Sequence, residues 1–156
     1  MRWRANSAEE TEQVGAQLAR SLPRRDCLLV VYLEGDLGAG KTTLVRGFVR
    51  ACGVTGSVKS PTYTLLELYE TPGGSVLHAD LYRLRDPAEL ENIGLREWAR
   101  PGFVWLVEWP ERGLGHLPPA DLSMTLHAGF AHHEISATAH SAVGMQWLAA
   151  LNPLSG

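Results

Sequence analysis

A glycine-rich segment at residues 35–42, Gly-Asp-Leu-Gly-Ala-Gly-Lys-Thr, limits the possible folds of this 156-residue chain more than any other feature. It fits the pattern G-x-x-x-x-G-K-[ST], whose glycines let the backbone wrap a phosphate group with its N–H groups at the start of a helix. A short apolar run at residues 28–33 precedes it, and apolar residues at helical spacing, 44–49, follow it. This order of strand, loop and helix is the context that a phosphate-binding loop (P-loop) requires.

The chemistry of the P-loop predicts ATP and Mg²⁺ as cofactors. We expect Lys41 to reach the β and γ phosphates as a compact cation, and the Thr42 hydroxyl to bind the Mg²⁺ that bridges them. No N-K-x-D string, the guanine-reading motif of GTPases, occurs in the sequence. The residues expected to bind ATP are Gly35, Asp36, Leu37, Gly38, Ala39, Gly40, Lys41, Thr42 and Thr43.

Two carboxylates stand where a P-loop enzyme needs an acidic group near the metal, at the carboxyl end of a buried strand. Apolar runs end in Asp80 and in Glu108. We expect Glu108 to bind Mg²⁺ directly or through water, and Asp80 to orient a water molecule or to act as a general base. The sequence leaves an exchange of these two roles open. With Lys41, they are the expected catalytic residues.

The pattern of apolar runs predicts an α/β fold in a single domain, residues 1–156. Runs without alternation are typical of strands that are buried on both faces of a parallel sheet, whereas β-formers around turn residues indicate hairpins. We therefore expect a P-loop NTPase-like mixed sheet with a parallel core, antiparallel additions and flanking helices. The predicted strands cover residues 28–33, 63–70, 76–80, 103–107, 122–127 and 134–139.

Helix signals complete this prediction. A capping box, Ser7-Ala8-Glu9-Glu10, begins a first helix that ends before Pro23, and Gly53 ends the helix after the P-loop. Asp86 and Pro87 begin a short helix that continues toward Trp98. A last helix is expected over residues 145–151.

Composition limits the choice of partners and of location. The net charge of −3 provides no basic field that would attract nucleic acid or an anionic membrane. No apolar run approaches the roughly 18 residues that span a bilayer, and no signal-peptide core follows Met1, so we expect a cytoplasmic protein without membrane contact. Cys27 and Cys52 form no C-x-x-C pair and are expected to be small buried apolar residues.

Four strings in this order resemble the TsaE (YjeE) family: Gly35-Asp-Leu-Gly-Ala-Gly-Lys-Thr-Thr43, Lys59-Ser-Pro-Thr-Tyr-Thr64, His78-Ala-Asp-Leu-Tyr-Arg-Leu84 and Leu106-Val-Glu-Trp-Pro110. The resemblance implies an ATPase that supports threonylcarbamoyladenosine modification of tRNA. It implies that the chain acts on the TsaB-TsaD complex and resets it between rounds, while TsaD performs the transfer. The tRNA is then contacted indirectly, through that complex. Lys41, Thr42, Asp80 and Glu108 match the family's functional positions.

The resemblance also implies roles for residues without a diagnostic motif. Ser60, Pro61 and Thr62 fall where the family has a switch-like segment, although a simple turn before a strand explains them equally well. Thr11 and His132 are implied on the adenine side, with His132 standing where the family pattern often has arginine. Trp109 either packs beside the site, faces the partner or belongs to the core.

The main alternative is a small P-loop kinase that phosphorylates a small-molecule acceptor, because its length and nucleotide loop would look similar. An arginine-rich lid would favour it, but the arginines between residues 83 and 112 are scattered. A pure adaptor would bind ATP without needing Asp80 or Glu108.

Overall fold

A mixed sheet runs through the computed structural model, which describes residues 1–58, 61 and 65–151. The described strands are β1 (Arg2–Ala5), β2 (Leu29–Glu34), β3 (Leu66–Thr71), β4 (Gly74–Asp80), β5 (Phe103–Glu108), β6 (Leu122–Ala128) and β7 (His133–Ala139). The helices are α1 (Ala8–Arg20), α2 (Lys41–Ala51), α3 (Glu89–Asn92) and α4 (Ala142–Ala150), with 3₁₀ turns at Leu95–Trp98 and Pro110–Gly113.

The sheet has the order β1-β7-β6-β2-β5-β4-β3. Strand β2 is parallel to both β5 and β6, and β4 is parallel to β5. The pairs β3–β4, β6–β7 and β1–β7 are antiparallel. The predicted parallel core with antiparallel additions is therefore confirmed, including both hairpins.

Helices and turns cover both faces of the central strands, which explains why those strands are apolar throughout. All six residues of β5 are buried. Val104 and Leu106 belong to a core cluster with residues of α1, α2 and α4, whereas Trp105 and Val107 belong to a second cluster with residues of α3 and the nearby turns. Alternating side chains thus enter two cores, one on each face of the sheet.

Helices α1 and α2 approach each other through two glycines. A Cβ atom at Gly15 would lie 2.0 Å from the carbonyl oxygen of Leu44, and one at Gly47 would lie 1.9 Å from that of Glu12. Glycine is therefore required at both contacts for steric reasons. Because α2 begins at Lys41, this close packing also determines where the P-loop lies against the sheet.

The predicted capping box is present with one change. The Ser7 hydroxyl accepts a hydrogen bond from the backbone N–H of Glu10 at 3.2 Å, as expected. The Glu10 carboxylate, however, accepts from the N–H of Asn6 at 2.6 Å, one residue before the cap. The cap therefore also holds the end of β1 against the start of α1.

Several expectations need correction. Strand β1 was not predicted, although its alternation of exposed arginines with buried Trp3 and Ala5 is a two-residue period. The helix expected to begin with Asp86 and Pro87 starts only at Glu89, after Ala88. It is also divided, because Gly94 takes a left-handed conformation with a φ of 72° between α3 and the 3₁₀ turn. Cys27 is exposed and Cys52 half-buried, so the prediction of two buried cysteines was wrong.

The last helix begins earlier than expected. Ser141 caps it by accepting from the N–H of Gly144 at 3.0 Å, and α4 therefore starts at Ala142 rather than at Met145. Across the described ranges, no helix is both long and apolar enough to cross a membrane.

Replacing Gly47 with alanine tests the glycine contact between α1 and α2. The new methyl group would meet rigid backbone, so we expect overpacking of about 1–3 kcal/mol to exceed the gain in helix propensity of about 1 kcal/mol. Chemical denaturation should show a lower free energy of unfolding. The matched change Gln13→Ala, at an exposed position of α1, should alter it by less than about 0.5 kcal/mol. Stability equal to or above the wild type for Gly47→Ala would contradict the packing.

Candidate active site

The P-loop connects the end of β2 to the first turn of α2 through glycines with positive φ. Gly35 has a φ of 146°, and a Cβ atom there would lie 2.3 Å from the carbonyl oxygen of Leu126 on β6. Gly40, the residue before α2, has a φ of 104°. These two positions let the backbone turn sharply between β2 and α2, whose first N–H groups have no partner within the helix.

Lys41, the first residue of α2, is turned back onto its own loop. Its side chain is buried, and Nζ donates to the carbonyl oxygens of Gly35 and of Asp36, the latter at 3.4 Å. The Trp109 ring lies beneath the ammonium group, with Nζ 3.7 Å from the ring centroid. Three neighbours thus hold the lysine at the mouth of the cleft where we expect phosphate.

Several acidic side chains surround Lys41. Burial lowers the pKa of Lys41, because removing an ammonium group from water disfavours its charged form. Four carboxylates oppose this shift, those of Glu108, Glu111, Asp80 and Asp36. A polyphosphate in the cleft would add negative charge beside the lysine, whereas a divalent cation would offset the acidic groups.

The two predicted carboxylates come together at the same edge of the sheet. Asp80 and Glu108 are direct partners in the parallel register of β4 and β5. The Thr42 hydroxyl lies 3.1 Å from Oε1 and 3.0 Å from Oε2 of Glu108, to which it donates. Asp80 Oδ1 accepts from the N–H of Tyr82 at 3.1 Å. Thr42 and Glu108, the two residues that the sequence predicts to bind Mg²⁺, are therefore in direct contact.

Trp109 lies beside the site and also packs against the second core cluster, which combines two of the three positions that the sequence allowed. In the described part of the chain it is the one non-glycine residue with a positive φ, 57°, between the end of β5 and Pro110. A left-handed conformation costs a bulky residue roughly 1–2 kcal/mol. The Lys41 ammonium group lies over the indole, and the centroid of the indole is 5.0 Å from that of the Tyr82 ring. The unfavourable backbone conformation thus accompanies side-chain contacts within the site.

Clefts open on both sides of the P-loop. One has a volume of about 220 Å³ and is lined by Lys41, Asp80, Glu108 and Trp109, among others. The other, of about 360 Å³, is lined by residues that include Thr11, Phe130 and His132. Both share loop residues Gly38, Gly40 and Thr43. The geometry thus brings Thr11 and His132 to the P-loop, on the side away from Asp80.

Two histidines of the site were given no role from the sequence, although His78 begins one of the four strings of the family resemblance. His133 Nδ1 donates to the carbonyl of Ala39 at 2.9 Å and joins the β6–β7 hairpin to the P-loop. His78 Nε2 lies 2.6 Å from Oε2 of Glu108. The period of β4 could have revealed His78, because residues two apart on a strand face the same side and Asp80 lies two positions further on.

The oxygen donors of Thr42 and Glu108 suit Mg²⁺, which prefers hydroxyl, carboxylate and phosphate oxygens. No group of three or more His, Cys, Asp and Glu side chains in the described ranges could hold a metal by itself. Magnesium in nucleotide sites usually takes one or two carboxylates and completes its shell with phosphate and water. The donor set therefore fits a metal that arrives with a nucleotide.

The switch-like segment is described only in part. Pro61 is half-buried, whereas Ser60 and Thr62 lie outside the described residues.

Comparison with known proteins decides the family. Residues 5–135 match the family described as "Threonylcarbamoyl adenosine biosynthesis protein TsaE". The chain belongs to the TsaE family. This family takes part in the biosynthesis of threonylcarbamoyladenosine in tRNA.

Individual TsaE relatives agree with this assignment. The chain is 52% identical over 98 residues to a Haemophilus influenzae protein named tRNA threonylcarbamoyladenosine biosynthesis protein TsaE, a match that covers 63% of the chain and 62% of the relative. A Bacillus subtilis protein of the same name is 38% identical over 140 residues, covering 89% of the chain and 85% of the relative. The crystal structure of Bacillus subtilis YdiB superposes with a TM-score of 0.78 at 31% identity, covering 97% of this chain and 93% of the other.

Alanine at two P-loop glycines tests the loop geometry of this TsaE-family chain. Both glycines have positive φ, so each change should cost about 1–2 kcal/mol of left-handed strain. Gly38→Ala should cost only that, since nothing lies within 4 Å of the new methyl, whereas Gly35→Ala also drives the methyl into the Leu126 carbonyl. We expect Gly35→Ala to lose about 1–3 kcal/mol more than Gly38→Ala in nucleotide-free chemical denaturation. Equal losses would contradict the described approach of the loop to β6.

Proposed function

We propose that this chain binds Mg-ATP along the P-loop, residues 35–43, and hydrolyses the ATP to reset the TsaB-TsaD complex between rounds of tRNA threonylcarbamoylation. The observation that carries the proposal is the hydrogen bond from the Thr42 hydroxyl to Oε2 of Glu108, 3.0 Å long. It lies at the amino terminus of α2, next to Lys41, and Asp80 is the neighbour of Glu108 in the sheet. A hydroxyl, a carboxylate, a lysine and a second carboxylate at one helix terminus are the parts that phosphoryl transfer from ATP requires.

The P-loop holds the phosphates in this mechanism. Backbone N–H groups at the start of α2 bind the phosphates, where the helix dipole favours negative charge. Lys41 exchanges its contacts with Gly35, Asp36 and the Trp109 ring for the β and γ phosphates when ATP enters. The other residues from Gly35 to Thr43 shape the cradle.

The Thr42 hydroxyl and the Glu108 carboxylate are the residues that would hold Mg²⁺, with Glu108 acting directly or through water. When bound, Mg²⁺ neutralises part of the charge on the β and γ phosphates. Asp80 stands next to Glu108 in the register and is the residue that orients the attacking water or accepts its proton. The contact between Thr42 and Glu108 supports this division of roles over the exchanged one.

The adenosine side of the nucleotide lies in the second cleft, between the start of α1 and the β6–β7 hairpin. Thr11 is buried there, and its methyl group is near Gly40. His132 lies within 3.5 Å of the Glu134 carboxylate at the hairpin. The fully exposed Phe130 offers an aromatic face at the same cleft.

The partner assignment follows the family. Leu37 at the P-loop and Tyr82 beside Asp80 expose apolar surface at the mouth of the cleft, where a bound protein would detect whether ATP is present. With a net charge of −3, the chain meets tRNA only through the TsaB-TsaD complex. We place this work in the cytoplasm, where tRNA is modified.

The ATPase proposal is tested by measuring phosphate release from Mg-ATP with the wild type and with Lys41→Ala, each alone and with TsaB-TsaD and tRNA. We expect slow turnover alone, a rise with the partners, and loss of that rise in Lys41→Ala, because the variant lacks the cation that contacts the β and γ phosphates. Turnover that ignored the partners and required a small phosphate acceptor would replace the proposal with the kinase alternative.

The role of Asp80 is tested by Asp80→Asn, which keeps the size of the side chain but removes its charge. Loss of general-base assistance should lower partner-stimulated hydrolysis by about 10²–10⁴-fold. ATP affinity, measured by calorimetry, should stay within about threefold, since the P-loop contacts remain. Asp86→Asn, at an exposed position in the turn before α3 and away from the cleft, should retain wild-type turnover. Full activity of Asp80→Asn would remove Asp80 from the mechanism.

A further inference from the structure

A buried histidine lies behind the site. His78 is in the middle of β4, and none of its surface is exposed to solvent. Its strand neighbours Leu77 and Ala79 point into the opposite core cluster, so His78 faces α2 together with Asp80. A polar ring is costly in such a place unless its hydrogen bonds are made, and an apolar side chain would satisfy the packing alone. The packing of the sheet therefore does not explain a histidine at this position.

One ring nitrogen has a partner and the other has none. Nε2 lies 2.6 Å from Oε2 of Glu108, which is itself only 3% exposed. With the tautomer that carries its proton on Nε2, the ring donates this hydrogen bond to the carboxylate. Nδ1 is buried and has no hydrogen-bond partner among the described residues. The contact with Glu108 is thus the one polar interaction described for this ring.

The Glu108 carboxylate is held from two directions. Thr42 approaches both oxygens from α2, at 3.1 Å and 3.0 Å, and His78 approaches Oε2 from β4. A glutamate side chain has several rotatable bonds, and two donors on different elements restrict it to one orientation. Without His78, the Thr42 hydroxyl, itself a proposed metal ligand, would be the one described hydrogen-bond partner left to orient the carboxylate.

We propose that His78 is a positioning residue that holds the Glu108 carboxylate against Thr42 and thereby sets the metal affinity of the nucleotide site. The inference rests on the proposed Mg-ATP function and adds a residue outside the P-loop and the two strand-end carboxylates. Hydrogen-bond partners behind a metal ligand typically change metal affinity by about 10–100-fold when they are removed. We expect His78 to change the metal affinity to this extent without contacting the nucleotide.

The test uses four variants of the full chain. His78→Leu removes the donor, and His78→Gln places an amide N–H at the reach of Nε2. His78→Asn carries the same amide but is too short to reach Glu108. Val76→Ala is the structural control, because Val76 is fully buried on the same face of β4 but two residues further from the site, opposite Val104.

The first measurement is the Mn²⁺ dissociation constant of the protein complexed with a non-hydrolysable ATP analogue, followed by electron paramagnetic resonance. Affinity for the analogue in EDTA and the free energy of unfolding are measured on the same samples. We expect His78→Leu and His78→Asn to weaken Mn²⁺ binding by about 10–100-fold while metal-free analogue affinity stays within about twofold. His78→Gln should recover most of the loss. Val76→Ala should lower stability without changing Mn²⁺ affinity.

Other results would overturn the inference. If His78→Leu or His78→Asn binds Mn²⁺ as tightly as the wild type, His78 does not position Glu108. If Val76→Ala weakens Mn²⁺ binding as much as His78→Leu and His78→Asn do, the role of His78 is only structural. The same conclusion follows if His78→Gln and His78→Asn have equal Mn²⁺ affinities. Should His78→Leu fail to fold, the comparison of Gln with Asn gives the same decision. Failure of the Mg-ATP function would instead be visible in the wild type, as absent analogue binding or absent Mn²⁺ binding.

Discussion

The register of three parallel strands is the constraint on which the site depends. Glu108 is paired with Leu33 of β2 on one side and with Asp80 of β4 on the other. Because β2 leads into the P-loop, the same register brings Lys41 and Thr42 to the edge where both carboxylates lie. A slip of one residue would turn Glu108 to the opposite face of the sheet, away from α2. Packing opposes that slip, since Val104 and Leu106 fill one core cluster while Trp105 and Val107 fill the other.

Glu108 is the point where the fold and the proposed chemistry meet. Its carboxylate is buried, receives the Thr42 hydroxyl, and contacts the ring of His78. Lys41 is held nearby by its own loop and by the indole of Trp109. The Thr42, His78 and Glu108 contacts are thus already formed, while Lys41 makes contacts that a bound phosphate would have to replace. Nucleotide entry would then change the contacts of Trp109, and with them the surface around Tyr82.

The sequence predicted those parts of the fold that local pattern determines. Uninterrupted apolar runs identified β2 and β5. A carboxylate at the end of each candidate strand indicated Asp80 and Glu108 as site candidates, and the structure places them side by side. Strand β1 was missed because four residues provide too little pattern, and its pairing with β7 is a contact between distant parts of the chain. The contact of His133 with the P-loop and the left-handed Trp109 depend in the same way on tertiary structure, which no local signal encodes.

The most direct test of the account is a crystal structure of the protein with a non-hydrolysable ATP analogue and Mg²⁺. The account predicts phosphates in the loop from Gly35 to Thr43, Mg²⁺ on the Thr42 hydroxyl with Glu108 bound directly or through one water, and Lys41 on the β and γ phosphates instead of the Trp109 ring. Nucleotide bound elsewhere, or Mg²⁺ without contact to Thr42 and Glu108, would contradict it.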